Sequence, residues 1–188
     1  RFAMMTHEYL ITQLQHTGVE TWGNSMGRFR LNFNHPVKEL VWITVPDAAS
    51  TNFNEHFKYE DMKSDRSLVD KVKLQLNGHE RFSERESGYF TLVQPFQHHT
   101  NVPMDAVHVY SFALKPEDIQ PSGTCNFSRI DNATLILSPS EALATAAASK
   151  NSGVSGISTD GGISLRIYAT NYNVLRIMSG MGGLAYAN

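Results

Sequence analysis

Apolar residues recur at every second position through several stretches of this chain, and that spacing limits what it can fold into. In Arg28-Phe29-Arg30-Leu31-Asn32-Phe33 the three apolar side chains share one face and the polar ones the other. Val72, Leu74 and Leu76 alternate with Lys71, Lys73 and Gln75, and Ile163, Leu165, Ile167 and Ala169 alternate with Ser164, Arg166 and Tyr168. A period of two is the signature of a strand with one face buried, as in two antiparallel sheets that share a core.

Two other runs are apolar on both faces: Leu40 to Val45, and Ala106 to Leu114. A strand of that kind is central, or is covered on its outer side by another domain or subunit. Tyr9–Gln15, Cys125–Arg129 and Ala133–Leu137 complete a set of eight. The fold class is therefore all-β, an eight-stranded antiparallel jelly-roll sandwich, or a related sandwich, with one or two short helices in its loops. Ser83-Glu84-Arg85-Glu86 has the capping-box pattern, and Phe82, Tyr89, Val93 and Phe96 follow at helical spacing. One short helix is predicted there, ended or kinked at Pro95, with a second turn or two at Ala142–Ala148. Two loops are long: Pro46–Asp70, of mixed charge, and the Gly- and Ser-rich Ser149–Gly162.

Length and charge narrow the function. The 188 residues suit a single domain spanning 1–188. Charged residues are 18% of the chain and the net charge is −2, which supplies no basic field for direct nucleic-acid binding. Cys125 is the only cysteine, so neither an intrachain disulfide nor a thiolate metal cage forms, in keeping with a reducing compartment. No apolar run is long enough to cross a bilayer, and Arg1 leads into polar sequence without a signal-peptide pattern. Because the chain starts at Arg1 rather than Met, it reads as a fragment or the ordered part of something longer.

No catalytic, cofactor or metal set emerges. Gly23-Asn24-Ser25-Met26-Gly27 matches a nucleophile-elbow pattern, but a strand rather than a helix follows it, so it reads as a turn. His98 and His99 are adjacent, and neither H-x-H nor H-E-x-x-H occurs, so they read as hydrogen-bonding residues at a helix end. Asp160-Gly161-Gly162 reads as a turn, and Gly180-Met181-Gly182-Gly183 as close backbone packing. Asn126 and Asn132 open N-x-S/T sequons, acceptors only in a secreted chain; with Ser128 and Asp131 they are better suited to tying down a tight bend.

Several blocks, read together, carry a family resemblance. Asn34-His35-Pro36-Val37-Lys38-Glu39-Leu40-Val41-Trp42, Leu76-Asn77-Gly78-His79-Glu80-Arg81-Phe82, Gln94-Pro95-Phe96-Gln97-His98-His99-Thr100 and Tyr110-Ser111-Phe112-Ala113-Leu114-Lys115-Pro116 resemble the major capsid proteins of nucleocytoplasmic large DNA viruses. So do Gln120–Asn132 and Asn171–Tyr186, so that matching blocks run in order from Leu31 to Tyr186.

The resemblance implies the C-terminal jelly roll of a double jelly-roll subunit, a non-enzymatic structural part. It further implies homotrimeric capsomers of pseudo-hexagonal outline in an icosahedral capsid, neighbouring capsomers, minor capsid and penton proteins as partners, and an inner membrane met only indirectly. Location in the virion and assembly in the host cytoplasm follow from the same likeness. On this reading Val41, Trp42, Ile43, Val107, Val109, Tyr110 and Phe112 form interface strands covered by a neighbour. A carbohydrate-binding jelly-roll module or receptor-binding appendage is the rival, with Phe57 and Tyr59 near Asn52, Asn54, Glu60 and Asp61 as its candidate surface.

Overall fold

The computed structural model describes residues 4–23, 25–46, 57, 59–60, 67–104, 106–141, 143 and 163–187. Ten strands occur among them: β1 (His7–Trp22), β2 (Gly27–Arg30), β3 (Pro36–Pro46), β4 (Val69–Leu76), β5 (His79–Glu86), β6 (His108–Ser111), β7 (Cys125–Asn126), β8 (Ala133–Pro139), β9 (Ile163–Met178) and β10 (Met181–Leu184). They make two antiparallel sheets. The larger has the order β1-β9-β3-β6, with β10 added to β9 and β7 to β3; the smaller has the order β2-β8-β4-β5. The chain passes repeatedly from one sheet to the other, which is jelly-roll connectivity.

Alternation sets which side chains meet between the sheets. Leu40 and Trp42 on β3, Leu165 and Ile167 on β9, Val72 and Leu74 on β4, and Leu135 and Leu137 on β8 are all buried in one core. Aromatic rings fill the end near β6: Trp42 lies 5.3 Å from Phe90, and Phe82 lies 4.8 Å from Tyr110, in tilted pairs.

The capping-box expectation at Ser83–Glu86 is overturned, since those residues lie within β5. Asn77 and Gly78 both have positive φ (51° and 81°), the conformation of a two-residue hairpin turn, and they fold the chain straight back onto β4. Cross-strand pairing then outweighs the local helix signal. The helical segment comes later, as a π turn, Tyr89–Val93, running into α1, Gln94–His98. Pro95 does not end the helical run; it stands where the π turn passes into α1. Its buried anchor is Phe90; Phe82 belongs to β5, and Val93 and Phe96 are exposed.

Two further expectations change. Cys125–Arg129 is a two-residue strand followed by a 3-10 turn, Phe127–Arg129, capped by Asn126 Oδ1, which accepts from Ser128 N. Gly182 and Gly183 lie in the exposed strand β10, not in close backbone packing; the hairpin before it turns at Ser179 and Gly180, again with positive φ. Of the helix expected at Ala142–Ala148 only Leu143 is described, buried in the core, and the turn at Asp160–Gly162 and most of Pro46–Asp70 fall outside the described residues.

A buried histidine lies at the core's edge. His108 stacks on Trp42 at 5.5 Å, and its Nε2 lies 2.7 Å from Ser87 Oγ and 3.4 Å from Ser67 Oγ. Burial lowers its pKa from 6.5 to about 4, partly offset by the backbone of Ala106 and Trp42. This serine–histidine contact secures the segment entering the π turn.

Two stability predictions arise. Leu165→Ala should cost about 2–5 kcal/mol in urea unfolding, while Leu14→Ala on exposed β1 should change stability by less than about 0.5 kcal/mol. Because folding keeps His108 neutral, the unfolded chain takes up a proton at higher pH than the folded chain. Stability should therefore be full above pH 6.5 and fall as pH drops toward 4, by roughly 3 kcal/mol at most from this residue. Urea titrations across that range, compared with His108→Gln, should show a flatter profile in the variant.

Candidate assembly surface

An antiparallel sheet is most exposed to other chains along its edges, where backbone N–H and C=O groups lack partners. Three of the four principal edges here are guarded. At β6, Ser111 N donates to the buried Gln94 Oε1 at 3.0 Å, so the helical segment covers that edge. Strand β5 is lined with charge, as in Glu80, Arg81, Glu84, Arg85 and Glu86, and is broken by two register shifts against β4. Strand β2 is only four residues long.

Strand β1 differs from all of these. It runs for 16 residues without Lys, Arg or Pro, and it forms the outer edge of the larger sheet. Leu14 is 68% exposed and Val19 57%, and Leu10 is also exposed. One irregularity, between His16 and Val19, occurs where Gly18 takes φ +98°. The surface next to this edge continues the pattern. Val109, Val41, Tyr168 and His16 are successive cross-strand neighbours on the side away from the core, and His16 stacks on Tyr168 at 4.5 Å. Ile43, Arg166 and Val19 form the next row.

The residues expected to form the interface divide by parity. Val41 and Ile43, both half-buried, belong to this outer face; Val109 lies on the same side but is buried within this chain, and Val107 is half-buried just before β6. Trp42 and Tyr110 do not: both are buried in the chain's own core. Phe112 is half-buried and packs edge-on against Tyr110 and Phe127. The correction follows from the pleat, which sends neighbouring side chains to opposite faces even where both neighbours are apolar.

The larger sheet also extends beyond its partner. The second half of β9 leaves β3 and pairs with β1 on one side and β10 on the other. Tyr9, Leu175 and Leu184 are cross-strand neighbours on this ribbon, with Tyr9 and Leu184 exposed. Amides, not apolar packing, anchor its root: Gln15 Nε2 donates to Asn171 Oδ1 (2.9 Å) and Asn34 O (2.7 Å), and Asn173 Nδ2 to Gln13 Oε1 and Tyr186 O (both 2.9 Å). Sequence reading had singled out Asn171-Tyr172-Asn173 without assigning these roles. Polar residues at core-facing positions of an alternating strand are the signal for them.

The remaining candidates have structural partners. Asn126 caps its turn, Ser128 Oγ accepts from His35 N, and Asn132 N donates to Asn77 Oδ1, so both sequons are built into a network that joins three loops. Ser25 O accepts from Trp22 Nε1 in the connection between β1 and β2. His98 Nδ1 lies 2.9 Å from Leu114 O. Among the described residues no group of three or more His, Cys, Asp and Glu side chains could hold a metal. Phe57 is exposed and Tyr59 half-buried, while Asn52, Asn54 and Asp61 lie outside the described residues.

Known proteins resemble this chain over its whole length. Residues 1–183 match the family model described as large eukaryotic DNA virus major capsid protein. The major capsid protein of Pyramimonas orientalis virus is 46% identical, with all of this chain and 45% of that protein covered. That of Paramecium bursaria Chlorella virus 1 is 44% identical, covering all of this chain and 50% of its own length. A quasi-atomic model of the PBCV-1 virus capsid superposes with a TM-score of 0.76 at 41% identity, covering all of this chain and 53% of that one. The chain thus spans about half the length of the curated relatives it matches. It belongs to the family of large eukaryotic DNA virus major capsid proteins.

Proposed function

We propose that this chain is one jelly roll, the C-terminal one, of a double jelly-roll major capsid subunit. Three subunits make a pseudo-hexagonal capsomer, and capsomers tile an icosahedral shell with minor capsid and penton proteins. The protein is a structural component of the virion, assembled in the host cytoplasm, and touches the inner membrane only through other proteins. The relatives support this by being major capsid proteins about twice as long as the chain.

The observation that carries the reading is the contrast between the sheet edges. Three are guarded by a helix, by charge or by brevity, whereas β1 is long, has no Lys, Arg or Pro, and exposes Leu10, Leu14 and Val19. Val41, Ile43 and Val107, with Leu14, Val19 and Tyr168, supply the contact surface in this account. Repeated interfaces of roughly 1,200–2,000 Å² are enough to hold such a shell together.

Leu14→Lys and Val19→Lys together should leave folding stability within about 0.5 kcal/mol per site, because both positions are exposed. The double variant should fail to form capsomers and particles in sedimentation velocity and negative-stain images, while Glu84→Lys on guarded β5 assembles normally. Particles of normal yield from the double variant would exclude β1 as a contact edge.

A further inference from the structure

Past Asn171, strand β9 loses β3 and keeps only β1 and β10 as partners. Its alternation continues without a break. Ile167 and Ala169 are buried in the core, so Asn171, Asn173, Leu175 and Ile177 stand on the same side of the sheet. On the flanking strands that side carries Tyr9 and Leu184, both opposite Leu175, and Ile11, opposite Asn173. The ribbon thus has an apolar surface of its own on the core side. The buried Asn171 and Asn173 separate it from the core.

Among the described residues, Tyr9, Ile11, Leu175, Ile177 and Leu184 neither belong to the core cluster nor pack against it. Tyr9 and Leu184 are 47% and 48% exposed, and the three between them are half-buried. No Lys, Arg, Asp or Glu of the ribbon lies on this side. The reverse side is mixed: Leu10 and Met178 are exposed there, and Arg176 Nη2 pairs with Glu8 Oε1 at 2.7 Å. An apolar face without charge has the composition of a permanent contact rather than a transient one.

Chain length and connectivity distinguish the possible occupants. This chain covers 45% to 53% of the relatives it matches. On the reading of the chain as the C-terminal jelly roll, on which this inference rests, the other jelly roll is joined ahead of β1. Strand β1 enters the fold at the ribbon, where His7 pairs with Ile177 beside the β9–β10 hairpin. A domain tethered there meets the ribbon at a far higher effective concentration than a free second copy does.

We propose that the core-side face of the ribbon, made by Tyr9, Ile11, Leu175, Ile177 and Leu184, is the seat of the upstream jelly roll of the same subunit. The larger sheet then serves two contacts. Its outer face and free edge meet neighbouring subunits, while its overhang meets the subunit's own other half. The hydrogen bonds of Gln15 with Asn171 and of Asn173 with Gln13 hold the root of the ribbon, and so fix the angle between the two jelly rolls.

Photo-crosslinking of the whole subunit tests this. Tyr9→p-benzoylphenylalanine and, separately, Leu184→p-benzoylphenylalanine put the probe at half-exposed positions outside the core, so either serves if the other disturbs folding. Leu14→p-benzoylphenylalanine on the free edge is the comparison. Irradiating isotope-labelled and unlabelled subunits assembled together separates crosslinks within one polypeptide from those between two. Positions 9 and 184 should join peptides of the upstream jelly roll without mixed-isotope pairs, whereas position 14 should give mixed pairs. Mixed pairs from positions 9 and 184, or no crosslink from either into the upstream half, would overturn the seat and leave the capsid reading intact. A whole subunit with no second jelly roll ahead of this one would overturn both.

Discussion

Every open sheet ends in a strand whose outward N–H and C=O groups find no partner within the sheet, and this molecule is arranged around that constraint. In the sandwich interior both sheets are satisfied by their neighbours and by a continuous apolar core. At the rims each edge needs its own solution. The buried Gln94 amide, the charged and irregular β5, and the brevity of β2 are three different answers to one problem. Among the described residues the fourth rim, β1, has only the irregularity at Gly18 and no Lys, Arg or Pro. Its apolar side chains and those of the neighbouring face acquire a purpose once another polypeptide covers them.

Strand β9 connects interior to rim. Its first half supplies Leu165 and Ile167 to the core while pairing with β1 and β3; its second half leaves the core and carries β10. The changeover occurs at Asn171 and Asn173, where apolar packing gives way to amide hydrogen bonds with Gln13 and Gln15. Buried amides at that junction set the register, because each has a specific partner and an unpartnered one would cost free energy. The ribbon beyond is thereby held at a defined position relative to the core.

Much of this was legible in the residues. The alternating segments at Arg28–Phe33, Val72–Leu76 and Ile163–Ala169 lie in or beside strands with the anticipated faces inward. Strands β5 and β10 were missed although Asn77-Gly78 and Ser179-Gly180 mark their hairpins; at β5 a local helix signal was weighed above turn chemistry that long-range pairing obeys. Which side chains of the doubly apolar strands face outward was only half legible. An apolar run such as Val41-Trp42-Ile43 does not declare which neighbour faces inward, and only the pairing partners of β3 assign Trp42 to the core and Val41 to the surface. The contacts of His99 with Glu39 (3.3 Å) and Glu117 (3.1 Å) were not legible, since those residues are far apart in the chain.

The account rests on the claim that the outer face and β1 edge of the larger sheet are covered by another polypeptide in the finished particle. Cryo-electron microscopy of purified particles, at a resolution that traces side chains, reads this directly. The account predicts density from a neighbouring domain or subunit packed on Leu14, Val19, Val41 and Tyr168, with the β1 edge shielded from solvent. Particles in which this face borders open solvent, with contacts made only through β5 or β2, would contradict it.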